Sequence, residues 1–230
     1  MESFYKLLKI IKVIFAGIYY SLKILIIPKD ITSILRLGDL LTDTKAFDHC
    51  LQRAKSDICA RQLIGERYSQ GGISVETIKH SPAGTLGAAV LEHMRKFKLD
   101  SYGLIMKSGV SERVYLRERQ REIHDILHCV FDLDIEIKDE AKLNAIVMAQ
   151  VYSPIATLIV AGSVIHTLFK SPNELPILID SIIDGVEIGR RSVSIFSIKW
   201  EELMFEPLEV AKNVVAGKST LEATSIGHSI

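Results

Sequence analysis

The stretch SERVYLRERQREIHDILHCVFDLDIEIKDE, residues 111–140, decides the fold. Val114, Leu116, Ile123, Ile126, Leu127 and Val130 recur at helical spacing among arginines and glutamates, which predicts one charged amphipathic helix from Ser111 to about Val130. Val114 stands where a capping box needs Glu or Gln, but Glu112 suits the positive end of a first turn. An acidic connector, Phe131–Asp139, follows, and a second helix opens near Glu140. Two helices on a short connector make a helical hairpin, and the rest of the chain has the same character.

Upstream, Pro28 and Asp30 stop a first helical segment and cap a second through Ile31–Leu41. Thr44 opens another that carries Ala46, Phe47, Cys50, Leu51 and Ala54 on one face. Residues 70–84 are rich in Gly, Ser and Pro, and predict a loop with one short strand around Ile73–Ile78. Thr85 caps a helix to about Leu99. Downstream, Leu143–Phe169 holds no Asp, Glu, Lys or Arg in 27 residues, long enough to span a bilayer. Asn144, Gln150, Ser153, Pro154 and Gly162 argue instead for helices buried in protein or walling a lipid cavity, broken or kinked at Pro154. Pro176 and Pro207 begin further helices, to Gly185 or beyond and to Val215, and residues 217–230 make a loose polar tail. The expected fold is mainly α: a single multi-helix domain over residues 28–216 with an apolar lipid-binding cavity and a helix-borne metal site.

Residues 1–27 need separate treatment. Lys6, Lys9, Lys12 and Lys23 fall on one side of an otherwise apolar helix, the pattern of a helix lying in a membrane interface. Packing on its own domain is the alternative. Lys23 and the lack of an A-x-A-like site speak against a secretory signal, and the lack of Arg against a mitochondrial transit peptide. Over the whole chain 28 basic residues balance 28 acidic ones, so no global field draws nucleic acid. Cys50, Cys59 and Cys129 have no C-x-x-C spacing and read as reduced structural thiols.

The chemistry sits in His124-Asp125-Ile126-Leu127-His128. Two imidazoles four residues apart share one helical face and can hold one metal ion. Eleven residues separate His128 from Glu140, a distance at which a hairpin returns a carboxylate to the same ion. Two histidines and a carboxylate leave coordination positions open, which suits Zn2+ hydrolysis or Fe2+ oxygen chemistry. Asp125 is a candidate fourth ligand, general base or orienting partner. Arg117 and Arg121 lie seven and three residues before His124, and are candidate binders of a substrate carboxylate or phosphate. The alternative for them is a solvated face paired with Glu118 and Glu122. A pair H-x-x-x-H alone is a weak sign, because satisfied histidines on helices are common.

The longer string H-D-x-x-H-x(11)-E, His124 to Glu140, resembles the signature of the coenzyme Q protein four family of ubiquinone biosynthesis. Ser81-Pro82-Ala83-Gly84-Thr85-Leu86-Gly87 resembles that family's Pro-x-Gly-Thr-x-Gly helix start, and Trp200-Glu201-Glu202-Leu203 with Pro207-Leu208 its C-terminal Trp-Glu-Glu segment. Tyr115 and the run from Arg119 to His128 fit its Tyr-x(n)-Arg-x-x-His-Asp lead-in. The resemblance covers residues 28–210. One departure is Asp132-Leu133-Asp134, where the family has a Gly-Met-Pro-like turn; another is a more apolar helix after Glu140.

The resemblance implies an α-helical, often dimeric protein peripheral to a membrane, binding isoprenoid lipid and other quinone-biosynthesis proteins. It also implies oxidative decarboxylation at ring carbon one of a prenylated hydroxybenzoate. The expected metal set is His124, Asp125, His128 and Glu140, with iron or zinc ahead of magnesium and Asp125 as the catalytic proton handler. A non-catalytic lipid-binding scaffold is the alternative, and a metallohydrolase ranks behind both, because Asp125 has a shorter reach than the glutamate such a site uses. The expected location is the cytoplasmic face of a membrane, with a bacterial inner membrane favoured.

Overall fold

Caps set most of the helix boundaries in the computed structural model, which describes residues 2–27, 30–68, 73, 75–97 and 110–218. The helices are α1 (Glu2–Ile26), α2 (Ile31–Thr42), α3 (Lys45–Ala54), α4 (Ile58–Glu66), α5 (Val75–Ile78), α6 (Leu86–Phe97) and α7 (Glu112–Glu122). After them come α8 (His124–Val130), α9 (Ile137–Val151), α10 (Pro154–Lys170), α11 (Leu175–Arg191), α12 (Trp200–Leu203) and α13 (Leu208–Val215). Asp30, Thr44, Asp57, Ser111 and Ser153 each accept a hydrogen bond from the backbone N–H three residues on, which satisfies a donor that the helix itself leaves open. Pro154 supplies the first turn of α10, where its missing N–H costs nothing, and Tyr152 ends α9 at φ 56.

Two sequence expectations are corrected here. The segment around Ile73–Ile78 is no strand: Val75–Ile78 winds into one helical turn, and the Ile73 N–H donates to Glu122 Oε1 at 2.6 Å. A strand needs a neighbour to pair with, and no strand forms among the described residues. The helix expected unbroken from Ser111 to Val130 is divided at Ile123 (φ −79, ψ −7) into α7 and α8. Ile123 is fully buried, and the ladder bonds Ile123 N to Arg119 O and Leu127 N to Ile123 O span the joint, so the result is a bend rather than a separation. The far ends of the expected 85–99 helix and of the 217–230 tail lie outside the described residues.

The apolar stretch 143–169 forms α9 and the body of α10, and its polar residues turn inward to partners. Asn144 Nδ2 donates to Glu140 O at 2.9 Å, Ser153 Oγ to Gln120 Oε1 at 3.0 Å, and Gln150 ties Ser192, Val193 and Ile195 to α9. Leu143, Ala145 and Ile146 are fully buried. Among the described residues no helix is long and apolar enough to cross a membrane. Helix α11 lies against α9 through Gly185 and Gly189, where a Cβ would run into the Lys142 and Ile146 carbonyls. On the other side α1 meets α10: Ile24 is buried against Gly162, and His166 Nδ1 lies 3.0 Å from Ile26 O. Ile14, Phe15, Ile18, Tyr19, Leu22 and Ile26 on the outer side of α1 are exposed.

Candidate metal centre

Helix α8 places His124 and His128 one turn apart, and the connector reverses the chain within six residues. Asp132 makes the reversal in the left-handed region, φ 53, a conformation Asp tolerates better than most residues, and Leu133 N–H donates to His128 O at 2.9 Å. Glu140 then returns in the first turn of α9. Its Oε2 stands 3.5 Å from His124 Nε2, and its Oε1 stands 3.4 Å from His128 Nε2. One donor atom from each of the three residues lies within 4.8 Å of the others.

The donor set fits a divalent ion. Ligands about 2 Å from a tetrahedral ion are separated by about 3.3 Å, close to the observed nitrogen–oxygen distances. His128 is 1% exposed, and its Nε2 has no hydrogen-bond partner, a costly state for a buried nitrogen. Its Nδ1 lies 3.3 Å from Leu133 O, the bond that leaves Nε2 as the free lone pair. Glu140 and His124 retain 25% and 34% exposure, so the centre is closed behind His128 and open in front.

Without an ion, His124 and Glu140 form an ion pair. Burial works against charge on His124, yet the Glu140 and Asp125 carboxylates overcome it and raise the imidazole to about 10. Burial likewise opposes charge on Glu140, but His124 and His128 hold the carboxyl far below its ordinary range. Asp125 lies on the other nitrogen of His124, 3.7 Å from Nδ1, and is also lowered: burial is outweighed by His124, then by His93 and His128. That places it behind the first histidine, where it can orient the ring.

Arg117 goes elsewhere. Arg117 reaches α2, pairing with Asp39 and donating to Leu35 O at 3.2 Å, besides its pairing with Glu118. Arg121 stands 3.9 Å from Glu118. The sequence reading missed His93 of α6, whose ring stacks on His128 with centroids 4.9 Å apart and planes 25° from parallel. Its Nε2 is buried without a partner, and burial together with the neighbouring imidazoles lowers its pKa. The clue was its register: His93 follows Leu86 and Val90 on the buried face of the helix.

The family model for "Coenzyme Q (ubiquinone) biosynthesis protein Coq4" matches residues 6–216. The chain belongs to the Coq4 family. Curated relatives include the mitochondrial ubiquinone biosynthesis protein COQ4 homologues of Plasmodium falciparum (isolate 3D7), 33% identical over 88 residues, and Bos taurus, 24% identical over 163. These alignments cover 37% and 69% of this chain, and 25% and 60% of the relatives, so the chain spans less than two thirds of their length. A crystal structure from Nostoc punctiforme PCC 73102, of a protein whose given name assigns it provisionally to ubiquinone biosynthesis, superposes with a TM-score of 0.74. It is 21% identical, with 88% of this chain and 97% of that one covered, and it attests the fold.

The stretches that resemble Coq4 motifs are tied to one another. Arg119, 1% exposed, pairs with Glu122 and with both carboxylate oxygens of Glu201, and donates to Ile198 O at 3.1 Å. Trp200, fully buried, donates its indole N–H to Ile195 O at 2.9 Å. Thr85 and Pro207 form an isolated antiparallel bridge, framed by Leu86 N to Glu206 O, Gly87 N to Met204 O and Leu208 N to Gly84 O. A Cβ on Gly87 would sit 2.9 Å from the Met204 carbonyl, so only glycine permits the approach. This clamp fixes the start of α6 and hence the position of His93.

Proposed function

We propose that this Coq4-family chain binds a divalent metal through His124, His128 and Glu140 and, beside it, a prenylated aromatic acid or related isoprenoid lipid. The reaction is oxidative decarboxylation at ring carbon one. The observation that carries the reading is the buried, unpartnered Nε2 of His128 aimed at Glu140. When bound, the metal supplies Lewis acidity and a meeting place for the substrate oxygens and dioxygen. The ring loses its carboxyl group as CO2 and gains a hydroxyl group; dioxygen is the oxidant, an external donor gives two electrons and two protons, and water carries off the second oxygen atom.

The protein's own groups hold and orient. Leu133 O fixes the His128 tautomer, and Asp125 fixes the His124 ring and is placed to receive or return a proton through it. Arg121, three residues before His124, is the arginine assigned to a substrate carboxylate, on its register along the chain. The exposed apolar side of α1, together with its lysines, supports attachment to a membrane surface, where such a substrate resides. Association with other quinone-biosynthesis proteins and with a second copy of the chain belongs to the same proposal.

Elemental analysis of protein purified without chelators tests the site first: about one metal per chain in the wild type and none in His124→Ala. A single-turnover assay with a prenylated hydroxybenzoate, dioxygen and a reductant then tests the chemistry. Product formation supports the enzyme. Metal-loaded protein that binds the lipid but never releases CO2 would leave the scaffold reading in its place.

A further inference from the structure

His128 is held loosely by its hydrogen bond. The 3.3 Å from Nδ1 to Leu133 O is at the long end for such a bond, and a long bond leaves the ring plane poorly fixed. A metal ligand needs that plane fixed, because the Nε2 lone pair lies in it. Two rings supply the constraint: His124 meets His128 edge-on, with centroids 4.9 Å apart at 61°, and His93 covers its face at 4.9 Å and 25°. His93 is itself backed by Phe97, edge-on at 4.8 Å, on a helix tied down by the Thr85–Pro207 bridge.

We propose that His93 is a positioning residue of the metal centre: its ring face, stacked on His128, holds that imidazole in the plane that aims Nε2 at the ion. The inference rests on the metal reading above. His93 is not a fourth donor, because nearly parallel stacked rings do not converge their nitrogens on one point, and His93 stands outside the group of atoms lying within 4.8 Å of one another. The ring, not its nitrogen, does the positioning, since Nε2 of His93 is buried and bonds to nothing. Phenylalanine preserves the ring and removes the unpartnered nitrogen, whereas alanine removes both.

The test is a Co2+ and Zn2+ titration against a chromophoric chelator, with wild type, His93→Ala and His93→Phe side by side and melting curves of the metal-free proteins. Groups that orient metal ligands are generally worth about 10- to 100-fold in metal affinity, and that loss is expected for His93→Ala. His93→Phe should stay within about threefold of wild type, with a saturated Co2+ visible spectrum of unchanged shape and a melting temperature no lower than wild type. Wild-type affinity in His93→Ala overturns the inference and leaves the metal site intact. Equal losses in His93→Phe and His93→Ala also overturn it, by assigning the work to the nitrogen. Failure of the wild type to bind either ion overturns the metal reading itself, and His93 positioning with it.

Discussion

The seam between α9 and α11 gives a prediction whose sign is set by geometry. Gly185→Ala adds one methyl group facing the Lys142 carbonyl, with Ala145 Cβ 2.9 Å away; Gly189→Ala meets the Ile146 carbonyl at 2.6 Å and Ala149 Cβ at 3.0 Å. Helix propensity favours alanine by about 1 kcal/mol at such positions. Overpacking costs about 1–3 kcal/mol, and the upper part of that range applies because the obstructing atoms belong to backbone and to a short rigid side chain. The balance is a loss of about 1–2 kcal/mol, or about 2–8 °C in melting temperature for a chain of this size. Gly65 in α4 is the internal control, with nothing within 4 Å of a Cβ there. Gly65→Ala should therefore gain about 0.5–1 kcal/mol, or about 1–4 °C. Thermal melts in the presence of chelator, followed by circular dichroism, read all three. If Gly185→Ala melts at or above wild type, or Gly65→Ala falls as far as Gly185→Ala, the reasoning fails. Since Lys142 lies two residues after Glu140, Gly185→Ala should also weaken metal binding, whereas Gly65→Ala should not.

Four further outcomes follow from the site and its supports. Arg119→Met leaves the Glu122 and Glu201 carboxylates without their buried partner, a change that costs about 3–5 kcal/mol, and should lower the melting temperature by about 6–20 °C; a shift below about 2 °C would show the pair to be dispensable. In the metal-free protein, the His124 imidazole raised from 6.5 to about 10 contributes stability fully below pH 6.5 and loses it as pH climbs through about 10. Glu140, lowered from 4.5, contributes above that value and loses its share in acid, so the melting-temperature gap between wild type and His124→Gln should be widest between pH 4.5 and 6.5. Metal must displace the His124 proton, so apparent Zn2+ affinity should rise about tenfold per pH unit between about 6.5 and 8, with one proton released into a weak buffer per ion bound. Glu140→Gln should keep the helices and lose most of the metal affinity; a variant that still copurifies with one metal per chain would remove Glu140 from the ligand set.

Local pattern made most of the helices legible. The caps at Asp30 and Thr44, the break at Pro154 and the helix after Pro207 are written in a few adjacent residues. The candidate triad could be read because spacing alone puts His124 and His128 on one face. What stayed hidden is tertiary. Nothing near Ile123 announces a bend, which arises where the buried side chain is packed by neighbours distant in sequence. The 73–78 segment has strand-like residues but no partner strand, so a helical turn prevails. Arg117 looked like a ligand-binding residue because its register relative to His124 is right, yet α2, more than seventy residues earlier, offers Asp39 and Leu35 O. His93 lay in a helix that the sequence does predict after Thr85, but its approach to α8 depends on the bridge to Pro207.

That bridge also bears on when the site can exist. The three donors come from 17 consecutive residues, a segment that leaves the ribosome together. Its surroundings arrive much later: Arg119 meets Glu201 across 82 residues, and α6 is not secured until Pro207 has been made. Before then His124 and His128 sit on a helix with no fixed ring stacked on them and with Arg119 lacking its main acidic partner. If the triad holds a metal, its capture is thus a property of the completed chain, and a nascent chain stalled before Trp200 would carry all three candidate ligands and still bind the ion weakly.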